Sequence, residues 1–436
     1  MTRPQRWIAG IAATTVVVVA LLAAGLAWWL PSDEELAARI AGEFEQRTGI
    51  GLRVGAAHWT LRPGPAITLS EVATTQKEPI TVQKLVLRAG LSALLARRVQ
   101  IDTVEIDGAV LPRASVRAFR GRGDGMQQPV GNWTVHEVPV AHARFSDLTW
   151  IDRRGIALAY DGRIDFDPGW LPRHAEVARR DVTPPARLAL EREAGTDRWR
   201  TDIEVAGGTW NGTTTVQTLP DQRLRLHAEL TPHNVDIALL TAAFKRRAPV
   251  EGRIEGSTEV DAEADNPAAL GRALHTRTRF TVRPATLLRF DLAKAVATAG
   301  ISRGGQTPLD ELVGTLETQN TEDGVVMRYR DLKARSGLLT ASGSVTLLNR
   351  KLDGEAAVDL VDGVVGVPLK VGGTVDVPEL SLTGGALAGA AVGSAVLPGV
   401  GTAIGARIGQ KVEQMFGGDD GDKKPKKPAA RGPRSN

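Results

Sequence analysis

Residues 221–230 read DQRLRLHAEL, and this stretch decides the fold class. Four polar side chains alternate in it with four apolar ones: Arg223, Arg225, His227 and Glu229 against Leu224, Leu226, Ala228 and Leu230. Successive side chains of an extended chain point to opposite faces, so this alternation predicts a β-strand with one polar and one apolar face. What covers the apolar face is the question that the rest of the sequence must answer.

The same period of two recurs along much of the chain, between turns rich in Gly, Asp, Asn and Pro. It is clearest at residues 199–205, 210–217, 254–262, 339–347 and 367–377. Short alternating strands joined by turns predict an antiparallel meander. Helical patterns are found only around 33–48, 90–97, 235–246 and 291–299. They are too sparse to cover the sheet in the way that an α/β fold does.

Two arrangements bury an apolar face that few helices cover. The sheet either packs on itself as a sandwich or closed barrel, or curls into an open trough whose lining meets something apolar from outside. Pattern alone favours self-packing, because sandwiches are the commoner outcome. The residues predicted to form this face are Trp199, Ile203, Val205, Trp210, Val216, Leu224, Leu226, Leu230, Ile254, Val260, Leu339, Val345, Leu347, Leu369 and Val371.

Composition and charge exclude several classes of protein. The 436 residues are 42% hydrophobic and 24% charged, which is typical of a folded chain rather than a disordered one. Cysteine is absent, so disulfides and zinc–thiolate sites are excluded. The net charge of +4 comes from Arg3, Arg6 and the basic residues after Phe416. The body between them is close to neutral, and nucleic acid is therefore not expected as a partner.

Residues 7–30, WIAGIAATTVVVVALLAAGLAWWL, form an uncharged apolar run long enough to cross a bilayer as one helix. The alternative is a cleaved signal peptide, but the run exceeds the usual apolar region of about 7–15 residues and no A-x-A site follows. Arg3 and Arg6 precede the run and acidic residues follow it. The sequence thus predicts a single-pass inner-membrane anchor with a cytoplasmic N-terminus and a periplasmic body.

Residues 384–416 form a different kind of element, in which glycines recur at multiples of four. These are Gly385, Gly389, Gly393, Gly401, Gly405 and Gly409. Such spacing lets two helices approach closely, so a glycine-zipper hairpin interrupted at Pro398 is predicted. Tight packing of the hairpin is favoured over membrane contact, which stays open. Residues 417–436 are predicted to be a disordered basic tail.

No motif for catalysis, metal binding or a cofactor stands out. The seven histidines include no H-E-x-x-H, and neither a nucleophile elbow nor a P-loop occurs. Gly399, Gly401 and Gly405 are one residue out of register for a dinucleotide-binding fingerprint. The sequence therefore predicts a protein that is not an enzyme and that needs no cofactor or metal.

Several blocks resemble the AsmA-like family of membrane-anchored periplasmic proteins. In the N-terminal part they are EFEQRTGIGLRVGAAHWTLRPGPAITLSEVATT (43–75) and ITVQKLVLRAGLSALLARRVQIDTVEIDGAVL (80–111). In the C-terminal part they are FDLAKAVATAG (290–300), TPLDELVGTLETQNTEDGV (307–325) and SGSVTLLNRKLDGEAAV (342–358). Together they cover about half of the chain, whereas residues 126–285 match only in strand character.

The resemblance implies that the sheet is a long open groove, similar to that of the repeating β-groove lipid-transfer proteins. It implies that the apolar face holds phospholipid acyl chains, and that the protein serves outer-membrane biogenesis, with membrane phospholipid and other envelope proteins as partners. A non-catalytic assembly scaffold with a self-packed sheet is the alternative.

The predicted fold is mostly β. An N-terminal transmembrane helix precedes a long curled antiparallel sheet with a few short helices, and the glycine-rich hairpin follows. The predicted regions are 1–6 (cytoplasmic), 7–30 (anchor), 32–125 (N-terminal AsmA-like region), 126–285 (central meander), 286–383 (C-terminal AsmA-like region), 384–416 (hairpin) and 417–436 (tail).

Overall fold

The computed structural model describes residues 32–60, 64–90, 98–119, 134–167, 171–265, 267–297, 304–321, 324–360 and 367–382. The predicted anchor, glycine hairpin and tail lie outside these ranges, as does almost all of the helical pattern at 90–97. Within the described ranges, no helix is both long enough and apolar enough to span a bilayer.

The described chain is mostly β-strand with a few short helices. The helices are α1 Asp33–Thr48, α2 Arg113–Arg117, α3 Ile237–Ala243, α4 Pro267–Ala273 and α5 Leu292–Ala297. The first strands are β1 Leu52–Thr60, β2 Ala66–Thr74, β3 Thr81–Ala89, β4 Arg98–Pro112, β5 Thr134–Ile151, β6 Ala157–Asp167, β7 Leu171–Arg179, β8 Ala186–Arg192, β9 Arg198–Val205 and β10 Gly208–Thr218. The remaining strands are β11 Leu224–His233, β12 Val235–Asp236, β13 Val250–Ala264, β14 His275–Leu288, β15 Gln306–Leu309, β16 Glu311–Thr321, β17 Gly324–Arg335, β18 Leu339–Leu348, β19 Lys351–Leu360, β20 Val367–Gly373 and β21 Pro378–Leu382.

All 21 strands of the described chain belong to one sheet, in which most neighbours along the chain also pair in space. The short strands β12 and β15 each share a partner with a longer strand: β12 pairs with β13 beside β11, and β15 pairs with β14 beside β16. Among the described strands, β1 pairs only with β2 and β21 only with β20. The sheet is therefore open at both ends, and the prediction of a mostly β fold with few helices is confirmed.

One pair of strands contradicts the predicted all-antiparallel meander. β4 and β5 run parallel, with Ile106 beside Phe145 and Leu111 beside Trp150. Antiparallel neighbours need only a tight turn, whereas a parallel neighbour needs a connection that returns to the starting end of the strand. In the described chain, α2 directly follows β4. Alternation within a strand carries no information on direction, so the sequence pattern did not reveal the crossover.

Register joins the alternating residues of all these strands into continuous surfaces. Leu226 of β11 lies opposite Val216 of β10 and Ala262 of β13. Directly opposed residues share one face of a sheet. We call the side that carries Leu226 the apolar face, and the side that carries Arg225 the polar face. The alternation predicted for β11 is confirmed, since its apolar side is more buried than its polar side.

Helix α1 covers the apolar face at the N-terminal end of the sheet. The Ser32 hydroxyl accepts a hydrogen bond from the backbone N–H of Glu35 at 3.3 Å, and the helix ends at Gly49, whose φ of 65° suits glycine. Leu36 and Ile40 pack into a buried cluster with apolar residues of β1 to β5. The helix has the bounds 33–48 that the sequence predicted.

Three other helices lie against apolar residues of the sheet. α3 brings Leu240 against Val205, and α4 brings Leu270 against Leu224. α5 is buried in a cluster with apolar residues of β18 to β21. The helical patterns at 235–246 and 291–299 are confirmed with shorter bounds. The sequence analysis missed α2 and α4, which have five and seven residues.

Ion pairs between neighbouring strands cover the polar face. Arg225 lies 2.6 Å from Glu263, and Arg277 and Arg330 each lie 3.2 Å from Glu317. The Arg225–Glu263 pair is exposed, and an exposed pair contributes about 0–1 kcal/mol to stability, whereas Glu317 is buried beside its two arginines. Opposite charges placed directly across from each other nevertheless favour one register over its alternatives.

The sheet coils far enough to bring distant turns together. Arg153, in the β5–β6 turn, donates a hydrogen bond to Asn349 in the β18–β19 turn. Ten strand-to-strand steps separate β6 from β18 along the sheet. A flat sheet would place them about 48 Å apart. The contact therefore requires pronounced coiling.

Candidate functional site

The fifteen residues predicted for the apolar face all lie on it, because the registers of β9 to β20 place them on the same side as Leu226. Six are buried: Trp199, Val205, Leu224, Leu339, Leu369 and Val371. Nine are half-buried: Ile203, Trp210, Val216, Leu226, Leu230, Ile254, Val260, Val345 and Leu347. The face is thus continuous but unevenly covered.

Helices account for most of this unevenness. Leu224 is buried beside α4, Val205 beside α3, and Leu339 in the cluster that contains α5. The clusters at α3 and α4 do not include Leu230 or Val260, which lie in β11 and β13 and stay half-buried. The accessible part of the apolar face therefore includes the middle of these strands.

Hydroxyl groups cross this part of the apolar face in pairs. Trp210 Nε1 donates to Thr258 Oγ1 at 3.1 Å, and Thr258 Oγ1 lies 2.9 Å from Thr278 Oγ1. Two further pairs, Thr201–Thr214 and Thr276–Thr318, have Oγ1–Oγ1 distances of 2.7 Å. Each hydroxyl has a partner within the protein, so the face stays compatible with apolar contacts. The sequence signal was threonine at apolar positions of neighbouring strands, but pairing became visible only with the register.

Arg192 and Trp199 place a charged group at one end of the apolar face. The Arg192 guanidinium lies 5.2 Å from the Trp199 ring centroid and forms ion pairs with Asp167 at 3.2 Å and Asp197 at 2.6 Å. The Trp199 indole donates to the Pro172 carbonyl at 2.5 Å. The face of the Trp199 ring and its N–H edge thus both contact the protein, and Trp199 is only 2% exposed.

Arg179 has a comparable role at the other end of β7. Its guanidinium lies 5.6 Å from the Tyr160 ring centroid, forms an ion pair with Asp181 at 2.8 Å and donates to the Ala243 carbonyl at the end of α3. Burial raises the pKa of Tyr160, while the Arg179 charge acts in the opposite direction. Sequence reasoning missed Arg179 and Arg192. Their signal was an arginine in the apolar phase of an alternating strand.

His227 lies on the polar face of β11, next to two carboxylates. Its Nδ1 lies 2.8 Å from Asp261 Oδ1, and its Nε2 lies 3.7 Å from Glu229 Oε1. The hydrogen bond to Asp261 raises the pKa of His227, desolvation lowers it, and the nearby negative charges raise it further. Protonation of His227 is therefore favoured by its contacts with Asp261 and Glu229.

The apolar face combines aliphatic side chains, few aromatic rings and hydroxyls that are paired within the protein. Such a surface binds apolar chains by contact area and fixes no polar group of a ligand in place. The predicted glycine-zipper residues lie outside the described ranges. Comparison with family models, curated proteins and solved structures yields no match.

Proposed function

We propose that the apolar face binds the acyl chains of phospholipids, and that the coiled sheet forms an open groove along which they move. The observation that carries the proposal is the continuous apolar face, which helices cover near α1, α3, α4 and α5 and which stays accessible around Leu230 and Val260. Leu230 is separated from bulk water only in part, and an acyl chain would complete its burial.

Dimensions and energies are consistent with this occupant. From β9 to β14 the face extends about 19 Å across four strand-to-strand steps. One leaflet of a bilayer core is about 15 Å deep, so an acyl chain fits across these strands. Each methylene moved from water to the face contributes about 0.8 kcal/mol. The threonine hydroxyls are paired with each other and offer a ligand no polar contact that would hold it at one position. An acyl chain can therefore slide along the groove.

The cellular setting rests on the sequence. The apolar run at 7–30 supports a single-pass inner-membrane anchor with residues 1–6 in the cytoplasm and the β body in the periplasm. The resemblance to the AsmA-like family supports a role in outer-membrane biogenesis, with phospholipid and envelope proteins as partners. In this proposal the protein has no catalytic activity and moves lipid by binding alone.

Photo-crosslinking within one strand tests the proposal. A photoreactive phenylalanine derivative replaces Leu230 on the apolar face or, as a matched control, Glu229 on the polar face of the same strand. After irradiation in cells, mass spectrometry of the full-length protein should detect phospholipid adducts at 230 and none at 229. Adducts at neither position, or equally at both, would contradict a lipid groove. Adducts at neither position would favour a non-catalytic envelope scaffold.

A further inference from the structure

The turn between β5 and β6 meets three segments that are distant in sequence. Arg153 contacts Asn349 and approaches Gly324. On the other side of the turn, Arg246 lies 4.0 Å from Asp152, and the Lys245 ammonium donates to the Ala157 carbonyl at 2.6 Å. The coiled sheet thus brings the segment after α3 and the β18–β19 turn to one place.

Basic residues dominate this junction, which we call the arginine seam. Its basic members are Arg153, Arg154, Lys245, Arg246, Arg289 and Arg350. Two carboxylates face them. Asp376 pairs with Arg350 and lies 4.0 Å from Arg289, whereas Asp152 accepts hydrogen bonds from the backbone N–H groups of residues 154 and 156 at 2.7 and 3.0 Å. Among the described residues, six positive charges therefore meet two carboxylates within 4.0 Å, in a chain whose formal net charge is only +4.

Arg154 is the exposed centre of the seam. Within the described part of the chain, no carboxylate lies within 4.0 Å of its guanidinium. Partial desolvation lowers the pKa of Arg154, and repulsion from Arg246, Arg153 and Arg350 lowers it further, against the weaker attraction of Asp152. The fold thus holds three guanidinium groups around the exposed guanidinium of Arg154, which has no carboxylate within 4.0 Å in the described part of the chain. An anion that binds these guanidinium groups would relieve the repulsion.

We propose that the arginine seam binds a phosphate group. The planar guanidinium offers paired N–H donors that match two phosphate oxygens, and neighbouring arginines supply donors to the remaining oxygens. Arg154 would make the central contact, with Arg153 and Arg246 on either side. The phosphate comes either from free inorganic phosphate or from a lipid headgroup. The proposal rests on the seam alone and stands whether or not acyl chains bind the apolar face.

Calorimetric titration of the full-length protein in a phosphate-free maltoside detergent tests the site, with inorganic phosphate as the first probe. We expect Arg154→Gln to weaken binding about tenfold, the equivalent of about 1.4 kcal/mol. Arg144→Gln is the control, because Arg144 is also exposed and has no carboxylate within ion-pair distance in the described chain. It lies on β5 about 30 Å from residue 153. Its affinity for phosphate should stay within about twofold of wild type.

A second titration distinguishes the two sources of phosphate, with dihexanoyl phosphatidic acid as the probe. Equal affinity for both probes assigns the seam to free phosphate. Tighter binding of the lipid, lost in Arg154→Gln and kept in Arg144→Gln, assigns it to a headgroup. The proposal is overturned if wild type binds neither probe or if both variants weaken binding equally. An absence of photo-crosslinks at position 230 would not change the expected titrations with phosphate. The acyl-chain proposal and the phosphate proposal can therefore be contradicted independently.

Discussion

Trp210 donates a hydrogen bond from its indole Nε1 to the Thr258 hydroxyl at 3.1 Å, across the intervening strand β11 on the apolar face. Thr258 is itself 5% exposed and shares a hydrogen bond with Thr278. A polar contact among aliphatic side chains is tolerated here because each hydroxyl finds a partner. The contact also links β10 to β13 independently of the backbone hydrogen bonds between strands.

Thr258→Val removes this hydroxyl while nearly keeping the shape of the side chain. The indole N–H and the Thr278 hydroxyl then lose their partner, and we expect a loss of about 1–3 kcal/mol in the free energy of unfolding. Thr213→Val makes the same chemical change on the polar face and should stay within about 0.5 kcal/mol of wild type. Denaturant unfolding measures both. Equal stability of the two variants would show that the hydroxyl pairing contributes nothing.

Gly212 tests how closely β10 and β11 approach. A Cβ built there would collide with the Glu229 carbonyl oxygen, whereas one built at Gly271 in α4 meets no atom within 4 Å. We expect Gly212→Ala to destabilise the protein by about 1–3 kcal/mol, since the backbone must shift. Gly271→Ala should be neutral or stabilising by up to about 1 kcal/mol, since alanine favours a helix. Thermal melting measures the stability of both variants. An unchanged Tm for Gly212→Ala would contradict the close approach of β10 and β11.

Helix α1 should depend on one side chain for its attachment. Ile40 is 1% exposed in the cluster with β1 to β5, so Ile40→Ala removes packing worth about 2–5 kcal/mol. We expect limited proteolysis to cut near 33–48 in this variant much faster than in wild type. Arg39→Ala changes an exposed neighbour of the same helix and should leave the cleavage rate unchanged. Similar rates for the two variants would exclude the predicted packing.

The pKa of His227 predicts how stability depends on pH. Because the folded-state pKa is raised, protonated His227 stabilises the fold below the unfolded pKa of about 6.5, and this contribution is lost as pH rises through the folded value. His227→Gln should therefore lower Tm more at about pH 5.5 than at about pH 8.5. Asp261→Asn removes the main cause of the shift. In the Asp261→Asn background, the loss of Tm caused by His227→Gln should depend less on pH. A pH dependence as large as in wild type would contradict Asp261 as the main partner of His227.

Alternation within DQRLRLHAEL and related stretches was sufficient to predict which side of each strand is apolar. This property is local, because side chains of an extended chain alternate wherever the strand lies. The helical pattern around 33–48 was a local signal too, and it matches the bounds of α1. These features follow from neighbours a few residues apart.

Features that depend on distant partners were not predicted. The parallel pairing of β4 with β5 depends on a crossover, and the contact between Arg153 and Asn349 depends on how far the sheet coils. The pairing of Thr258 with Thr278 requires the register of two strands. Arg179 and Arg192 interrupt the apolar phase, but the Tyr160 ring next to Arg179 and the Asp167 carboxylate next to Arg192 lie on a different strand, β6. No local pattern specifies such partners.

The proposed groove requires an open, lipid-filled apolar face, and Leu230→Asp distinguishes such a face from a self-packed sheet. Leu230 is half-buried and lies outside the clusters at α3 and α4, so a carboxylate there can reach water once lipid leaves. Thr231→Asp introduces the same group one residue away on the polar face and serves as the control.

The measurement is bound phospholipid per protein, by mass spectrometry of gently purified full-length protein, together with Tm. We predict that wild type and Thr231→Asp carry phospholipid, and that Leu230→Asp loses most of it while its Tm falls by only a few degrees, about 1 kcal/mol. In a self-packed sheet, Leu230→Asp would instead bury an unpaired charge and lose several kcal/mol. Collapse of Leu230→Asp, with no lipid on wild type, would contradict the groove.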